Sequence, residues 1–384
     1  MKKKLFSVLC GLAMGLTAFG QQAIFGQRNQ IVSPQIKQDG TVTFRLSAPR
    51  AQKVEIQGDF IQRRAEMKQE NGVWTYTTGD LAPELYSYKF VVDGIELLDP
   101  SNLERSRDVK SFMSTFVISK QEGDAGYLYA PHDVPHGNVS QVWYDSPTLG
   151  INRRMTIYTP AGYETSGKKY PIMYLLHGAG GDEEAWITLG RTAQIMDNLI
   201  ALGKAEPMIV VMPNGNAGQK ASPSFQVGPE GRAKASYQES FPDIMNYMQK
   251  NYRLKGGAAN TAICGLSMGG GHSFSISMMN PGTFGYIGLY SAAVSMGGRG
   301  GQAINADLPD DAPAAKQLKA LFAAKPKLYW IGIGKTDFLY DQNKNLRSYL
   351  DKKSYPYEYF ENEDGHIWKN WRIYLSIFAQ KLFK

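Results

Sequence analysis

Thr261-Ala-Ile-Cys-Gly-Leu-Ser-Met-Gly-Gly270 is the stretch whose reading decides the fold. A short apolar run ends in Gly265-Leu-Ser-Met-Gly269, of the form G-x-S-x-G, and a segment compatible with a helix follows at once. Strand, tight turn and helix in that order place a serine at the tip of the turn, held in a strained backbone conformation. Small neighbours are required where side chains would clash, and Gly265 and Gly269 supply them. Ser267 then stands above a sheet at a helix N-terminus, where backbone N–H groups favour negative charge. In a chain with 40 glycines the bare pattern is only moderately specific, so its surroundings must support it.

They do. From residue 138 onward strand-like and helix-like segments alternate. Strands are expected at 155–158, 172–176, 208–212, 261–264, 287–290, 328–333 and 357–360. Helices are expected at 192–202, 241–252, 269–279, 314–322, 342–352 and 368–382. Near-continuous apolar strands separated by helices predict a mostly parallel sheet covered on both faces. Ligands bind such sheets at the C-terminal ends of strands, so partners of Ser267 are sought there.

Five histidines are available as a base. His132 and His136 precede the alternating region. His177 opens His177-Gly-Ala-Gly-Gly-Asp182 after a strand, and His272 lies on the same helix as the serine, where it is expected to pack. His366 follows a late strand in Glu363-Asp-Gly-His366, which fits the order Ser, Asp, His. The acid that holds its tautomer is read as Asp337, immediately after a strand, with Asp341 in reserve. Asp364, two residues from His366, is awkwardly close. An oxyanion needs two donors. Met268 N–H is one, and Ala179 N–H is the second, with Gly178 and Gly180 as alternatives. Trp186, Phe225 and Phe338 are candidate walls of an apolar slot beside the serine. No histidine–carboxylate set has metal-ligand spacing, and the chemistry needs neither metal nor cofactor. Loops 214–236 and 296–305 are polar or glycine-rich and lack phosphate-loop spacing. They are either pocket covers or ordinary loops.

The front of the chain reads differently. Lys2, Lys3 and Lys4 precede an apolar run from Leu5 to Ala18, with small residues Ala18 and Gly20 before Gln21. This is the pattern of a cleavable secretory signal over residues 1–20, and it predicts a secreted or periplasmic protein. Its removal takes three lysines from a net charge of +7, a scattered excess that calls for no nucleic acid. Cys10 sits inside the apolar run, and Cys264 is then the single cysteine left, a small core residue with no disulfide. Residues 21–120 show period-two patterns such as Val42, Phe44, Leu46 and Tyr86, Tyr88, Phe90, and turn pairs such as Asp93-Gly94. They predict a small antiparallel sandwich. Residues 121–137, with Gly123, Gly126, Pro131 and Pro135, read as a linker to a second domain over 138–384.

Two resemblances add to this. Gly58-Asp-Phe60, Asn71-Gly-Val-Trp74, Tyr86-Ser-Tyr-Lys-Phe90, Val92-Asp-Gly94 and Asp99-Pro100 resemble family 48 carbohydrate-binding modules. Trp74, Tyr86 and Tyr88 are nevertheless read as packing residues rather than sugar platforms. Arg154-Met-x-Ile-Tyr-x-Pro160, Leu175-Leu-His-Gly178, Trp186, Gly265-Leu-Ser-Met-Gly-Gly270, Asp337, Gly365-His366 and Trp368 with Trp371-Arg372 are similar to the esterase D group of carbohydrate esterase family 1. Ala179 stands where relatives commonly have glycine, which still leaves a free N–H.

The resemblance implies an α/β hydrolase fold behind the sandwich. It also implies a serine carboxylesterase acting on feruloylated or acetylated xylan and its oligosaccharides, with feruloyl ester hydrolysis foremost. Acetyl xylan esterase and siderophore lactone esterase are the alternatives within the enzyme class. A carbohydrate-binding protein with an inactive hydrolase domain is the alternative outside it.

Overall fold

The computed structural model describes residues 31–222, 234–296 and 302–384. The predicted sandwich forms from ten strands: β1 (Gln35–Ile36), β2 (Val42–Ser47), β3 (Val54–Gly58), β4 (Ala65–Glu66), β5 (Lys68–Glu70), β6 (Val73–Thr77), β7 (Glu84–Val92), β8 (Ile95–Leu97), β9 (Arg105–Asp108) and β10 (Ser111–Ile118). One sheet runs β1-β2-β6-β5. The other runs β4-β3-β7-β10-β9, with β8 added to β7. Alternate residues of β2 and β7 point inward, as period two dictates. Val42, Phe44, Leu46, Tyr88 and Phe90 are buried together with Trp74 and Phe116. Trp74 Nε1–H donates to the Ala48 carbonyl at 2.9 Å, so this indole is a core residue, as is Tyr88.

The segment expected as a linker carries a helix, α1 (Ala125–Tyr129). Asp124 caps it by accepting from Tyr127 N–H at 2.7 Å, and Tyr129 is buried. Five residues are too few for a helical period to show in sequence. Gly126 is required because a Cβ there would lie 1.7 Å from the Ile118 carbonyl oxygen.

The second half builds one eight-stranded sheet. Its elements are β11 (Asn138–Ser146), β12 (Ile151–Thr159), α2 (Tyr163–Ser166), β13 (Ile172–Leu176), α3 (Ala185–Thr188), α4 (Thr192–Ala201), β14 (Ile209–Pro213), α5 (Tyr237–Asn251), β15 (Thr261–Leu266), α6 (Met268–Met279), β16 (Tyr286–Tyr290), the short ladder β17 (Ser295–Met296) with β18 (Gln302–Ala303), α7 (Pro313–Ala323), β19 (Leu328–Gly334), α8 (Tyr340–Lys352), β20 (Glu358–Asn362) and α9 (Trp368–Ala379). The strand order is β11-β12-β14-β13-β15-β16-β19-β20. From β14 to β20 all pairs are parallel, while β11–β12 and β12–β14 are antiparallel. β11 escaped the sequence reading because it is an edge strand with mixed, mostly exposed residues. Central strands are buried along nearly their whole length, only Thr261 at the start of β15 being half-buried, and are packed on both faces. Cys264 lies in that core and burial pushes its thiol up to about 12.

The two halves are joined by one buried and one half-buried set of charge pairs. Arg372 of α9 donates to Glu84 of β7 at 2.9 and 3.2 Å, and to the Leu85 and Leu189 carbonyls. Arg107 of β9 donates to Asp182 at 2.7 Å, Glu184 at 3.2 Å and Ser222 Oγ at 2.5 Å. Burial raises the Glu84 carboxyl and the Arg372 guanidinium opposes it.

Candidate active site

The turn between β15 and α6 holds Ser267 at φ 54° and ψ −115°, a conformation that costs about 1–3 kcal/mol for a residue with a side chain. The surroundings hold it there. Ser267 N–H donates to the Tyr290 carbonyl, and its own carbonyl accepts from Gly271 and Ala293 N–H. The flanking glycines are needed for room. A Cβ on Gly265 would lie 2.7 Å from the Gly269 and Leu176 carbonyl oxygens, and one on Gly269 would lie 2.4 Å from the latter.

His366 and Asp337 meet in space from 29 residues apart. Asp337 lies just past β19, where Leu339 N–H donates to its Oδ1 at 2.8 Å. His366 Nδ1 lies 3.0 and 2.9 Å from the two Asp337 oxygens. Burial alone would raise this carboxyl; the hydrogen bonds from His366 and Leu339 outweigh it and hold it below the usual carboxylate range. With Nδ1–H donating to a carboxylate, Nε2 of His366 is the nitrogen left to accept a proton. Phe338 and Trp371 pack on either part of the imidazole, with ring centroids at 4.4 and 4.9 Å. Asn370 Nδ2–H donates to the Gly365 carbonyl at 2.7 Å and to that extent fixes the loop carrying His366. Asn370 was missed in the sequence; its only signal is its place four residues after His366. Asp341 lies in the first turn of α8, and Asp364 pairs with Lys369 at 2.8 Å instead of with the imidazole.

The loop after β13 approaches the serine closely. A Cβ on Gly178 would lie 2.4 Å from Leu266 Cδ1 and 3.3 Å from Ser267 Cβ. His177, fully buried, organises that loop. Gly215 N–H donates to its Nε2 at 2.7 Å, so Nδ1 carries the proton and donates to the Gly178 carbonyl at 2.8 Å. Burial holds this imidazole below its ordinary value, which keeps it neutral and its tautomer fixed. His272 packs against the Tyr237 ring at 4.8 Å, as expected of a structural residue, and burial lowers it to about 4.

Ser267, His366, Phe338, Gly178 and Ala179 line one cavity of about 960 Å³. Trp186 does not, which corrects its reading as a pocket wall. It is 1% exposed, donates Nε1–H to the Leu176 carbonyl at 2.9 Å and packs edge-on against Trp368 and Tyr290. An indole directly after a glycine-rich loop reads the same in sequence whether it faces ligand or core. Phe338 lies on the cavity lining, at 74% exposure beside His366. Phe225 lies outside the described residues, as do parts of loops 214–236 and 296–305.

The cavity has a second set of walls. Phe60, Leu81, Tyr86, Arg107, Asp108 and Val109 of the sandwich line it too. Val109 packs so close to Gly180 that a Cβ there would come within 3.1 Å of it.

Comparison with known proteins places both halves. The model of carbohydrate-binding module 48, the isoamylase N-terminal domain, matches residues 32–103. The chain is 31% identical over 361 residues to an endo-1,4-beta-xylanase/feruloyl esterase of Xylanibacter ruminicola, covering 91% of this chain and 46% of that protein. It is 27% identical to an esterase of Mycobacterium tuberculosis over 60% of this chain and 57% of that one. The chain thus spans about half the length of the curated relatives it matches. Among solved structures, the ferulic acid esterase of the anaerobic fungus Anaeromyces mucronatus is 26% identical, with a TM-score of 0.54 over 67% of this chain and 94% of that one. The enterobactin esterase of Shigella flexneri, 18% identical, shares the fold over 89% of this chain and 93% of its own, with a TM-score of 0.62. The model of the Esterase family matches residues 146–380, the region that holds Ser267, Asp337 and His366, and the chain belongs to that family with an α/β hydrolase fold.

Proposed function

We propose that this protein is a serine carboxylesterase that releases ferulate or a related hydroxycinnamate from xylan. The observation that carries the reading is the His366–Asp337 pair opening on the same cavity as the strained Ser267. His366 Nε2 takes the proton of Ser267 Oγ as the hydroxyl attacks the ester carbonyl. Asp337 holds the tautomer and stabilises the imidazolium. The oxyanion is received by Met268 N–H, at the start of α6, and by Ala179 N–H in the loop beside the serine. Each such donor contributes about 3 kcal/mol to transition-state stabilisation. His366 then protonates the leaving alcohol, and water repeats the cycle on the acyl-enzyme.

The choice of acyl group rests on the cavity. About 960 Å³ with Phe338 exposed at its lining suits an aromatic acid far better than acetate. Similarity to a xylanase/feruloyl esterase and to ferulic acid esterases supports the same choice. Feruloylated xylan oligosaccharides are the expected substrates, and the lysine-then-apolar start of the chain is read as an export signal. No helix among the described residues is long and apolar enough to cross a membrane. Purified protein offered methyl ferulate, acetylated xylan and a siderophore trilactone tests the reading. Fast release of ferulate alone supports it; preference for either other substrate overturns it.

A further inference from the structure

The hairpin β9–β10 belongs to the sandwich by its hydrogen bonds, yet its tip lies in the cavity that holds Ser267. It also lies beyond residues 32–103, the part matched by the carbohydrate-binding module. Three features fix that tip. Arg107 is clamped by Asp182, Glu184 and Ser222. Val109 is held at φ 51°, a genuine outlier for a β-branched residue. Its side chain packs on Gly180 of the loop beside the serine. Between these two anchored residues stands Asp108. Among the described residues its carboxylate has no hydrogen-bond or ion-pair partner, although Arg107 is its neighbour in sequence. Its side chain is exposed at the end of β9, and the partial burial that remains pushes the carboxyl up.

A carboxylate exposed at a cavity wall between two anchored residues is an acceptor already in place for whatever enters the cavity. A donor that enters the cavity exchanges with water there, and a hydrogen bond to a charged acceptor is among the stronger ones. The donor it fits is a hydroxyl, the donor that a neutral ester brings with it, since the cationic groups of the cavity, Arg107, Lys369 and Arg372, belong to the protein itself. We propose that Asp108, carried by the N-terminal sandwich, is a specificity-determining residue of the ester site that accepts a hydrogen bond from a hydroxyl of the bound substrate. This rests on the esterase reading above. It assigns to the sandwich a direct part in binding the ester, distinct from holding a distant stretch of polymer.

The hydroxyl has two sources, the phenol of the acyl group or the sugar of the alcohol. Full-length wild type, Asp108→Asn and Asp108→Ala are compared on methyl ferulate, on its phenol-methylated analogue methyl dimethoxycinnamate, and on feruloyl arabinose. The readout is the ratio of kcat/KM within each pair, with thermal unfolding to check the fold. If the phenol is the donor, the preference for methyl ferulate over the dimethoxy ester falls about tenfold in Asp108→Ala. If the sugar is the donor, the preference for feruloyl arabinose over methyl ferulate falls by about the same factor. Asp108→Asn keeps the shape and a weaker acceptor, so it falls between. Unchanged ratios, or equal losses on all three esters, overturn the inference. Wild-type protein that cleaves none of the three overturns the esterase reading itself.

Discussion

Two turns in this molecule hold a residue with a side chain at positive φ inside the same cavity: Ser267 at 54° and Val109 at 51°. They come from different halves of the chain and were reached by different routes. The Ser267 turn is local. Its strand, its two glycines and its helix all lie within a few residues, and hydrogen bonds to the Tyr290 carbonyl and from Ala293 N–H lock it from outside. The Val109 turn has no glycine, and what holds it is 70 or more residues away, through Arg107 to Asp182, Glu184 and Ser222. Strain that is written into the neighbouring residues can be read from sequence. Strain imposed by a distant partner cannot.

The largest expected effect falls on the first turn. Ser267→Ala should lower turnover by about a millionfold, as loss of a triad nucleophile does elsewhere, with the unfolding midpoint little changed. Measurable turnover near the wild-type rate would dissolve the contrast, because Ser267 would then be strained without chemical purpose. Asp337→Asn should lower kcat by about ten-thousandfold through the wrong histidine tautomer, with KM much less affected. It has a pH signature as well. The Asp337 carboxyl is held low in the folded state, so its contribution to stability is present above the unfolded value of about 3.9 and is lost as pH falls through the folded one. Wild type should therefore be more stable than Asp337→Asn at neutral pH, and the gap should close below about pH 3.9 in denaturant titrations.

The next effect concerns the other charge pair that joins the two halves. Glu84→Ala leaves Arg372 buried without its carboxylate, at a cost of about 3–5 kcal/mol in unfolding free energy. If chemical denaturation instead shows the sandwich melting alone with the hydrolase half unaffected, the two halves are less coupled than their ion pairs imply. The smallest effect is expected at the hairpin tip. Val109→Gly relieves the backbone and removes the contact with Gly180, so stability should change by only about 1 kcal/mol in either direction. A loss several times larger would mean that the tip is as tightly determined as the elbow.

The same contrast explains what was legible in the sequence. The parallel strands were readable because each is a continuous apolar run, and the elbow because its signals are adjacent. Asp337 and His366 were candidates because each follows a strand, and they meet at 2.9 Å because the fold makes strand ends converge. β11 was missed because an edge strand carries no apolar run, and α1 because five residues are too few. Trp186 was misplaced because composition does not show which way an indole faces. The sandwich's share in the cavity had no signal at all: a hairpin and a serine more than 150 residues apart share no local pattern.

The buried pair between Glu84 and Arg372 bears on how such a chain changes over evolutionary time. A module exchanged by recombination must arrive with its own matching acid at β7, or it strands a guanidinium inside the protein. Boundaries drawn between the halves by gene shuffling are therefore poor crossover points here. Substitutions at the seam are expected to travel in pairs, so the two halves descend as one heritable unit.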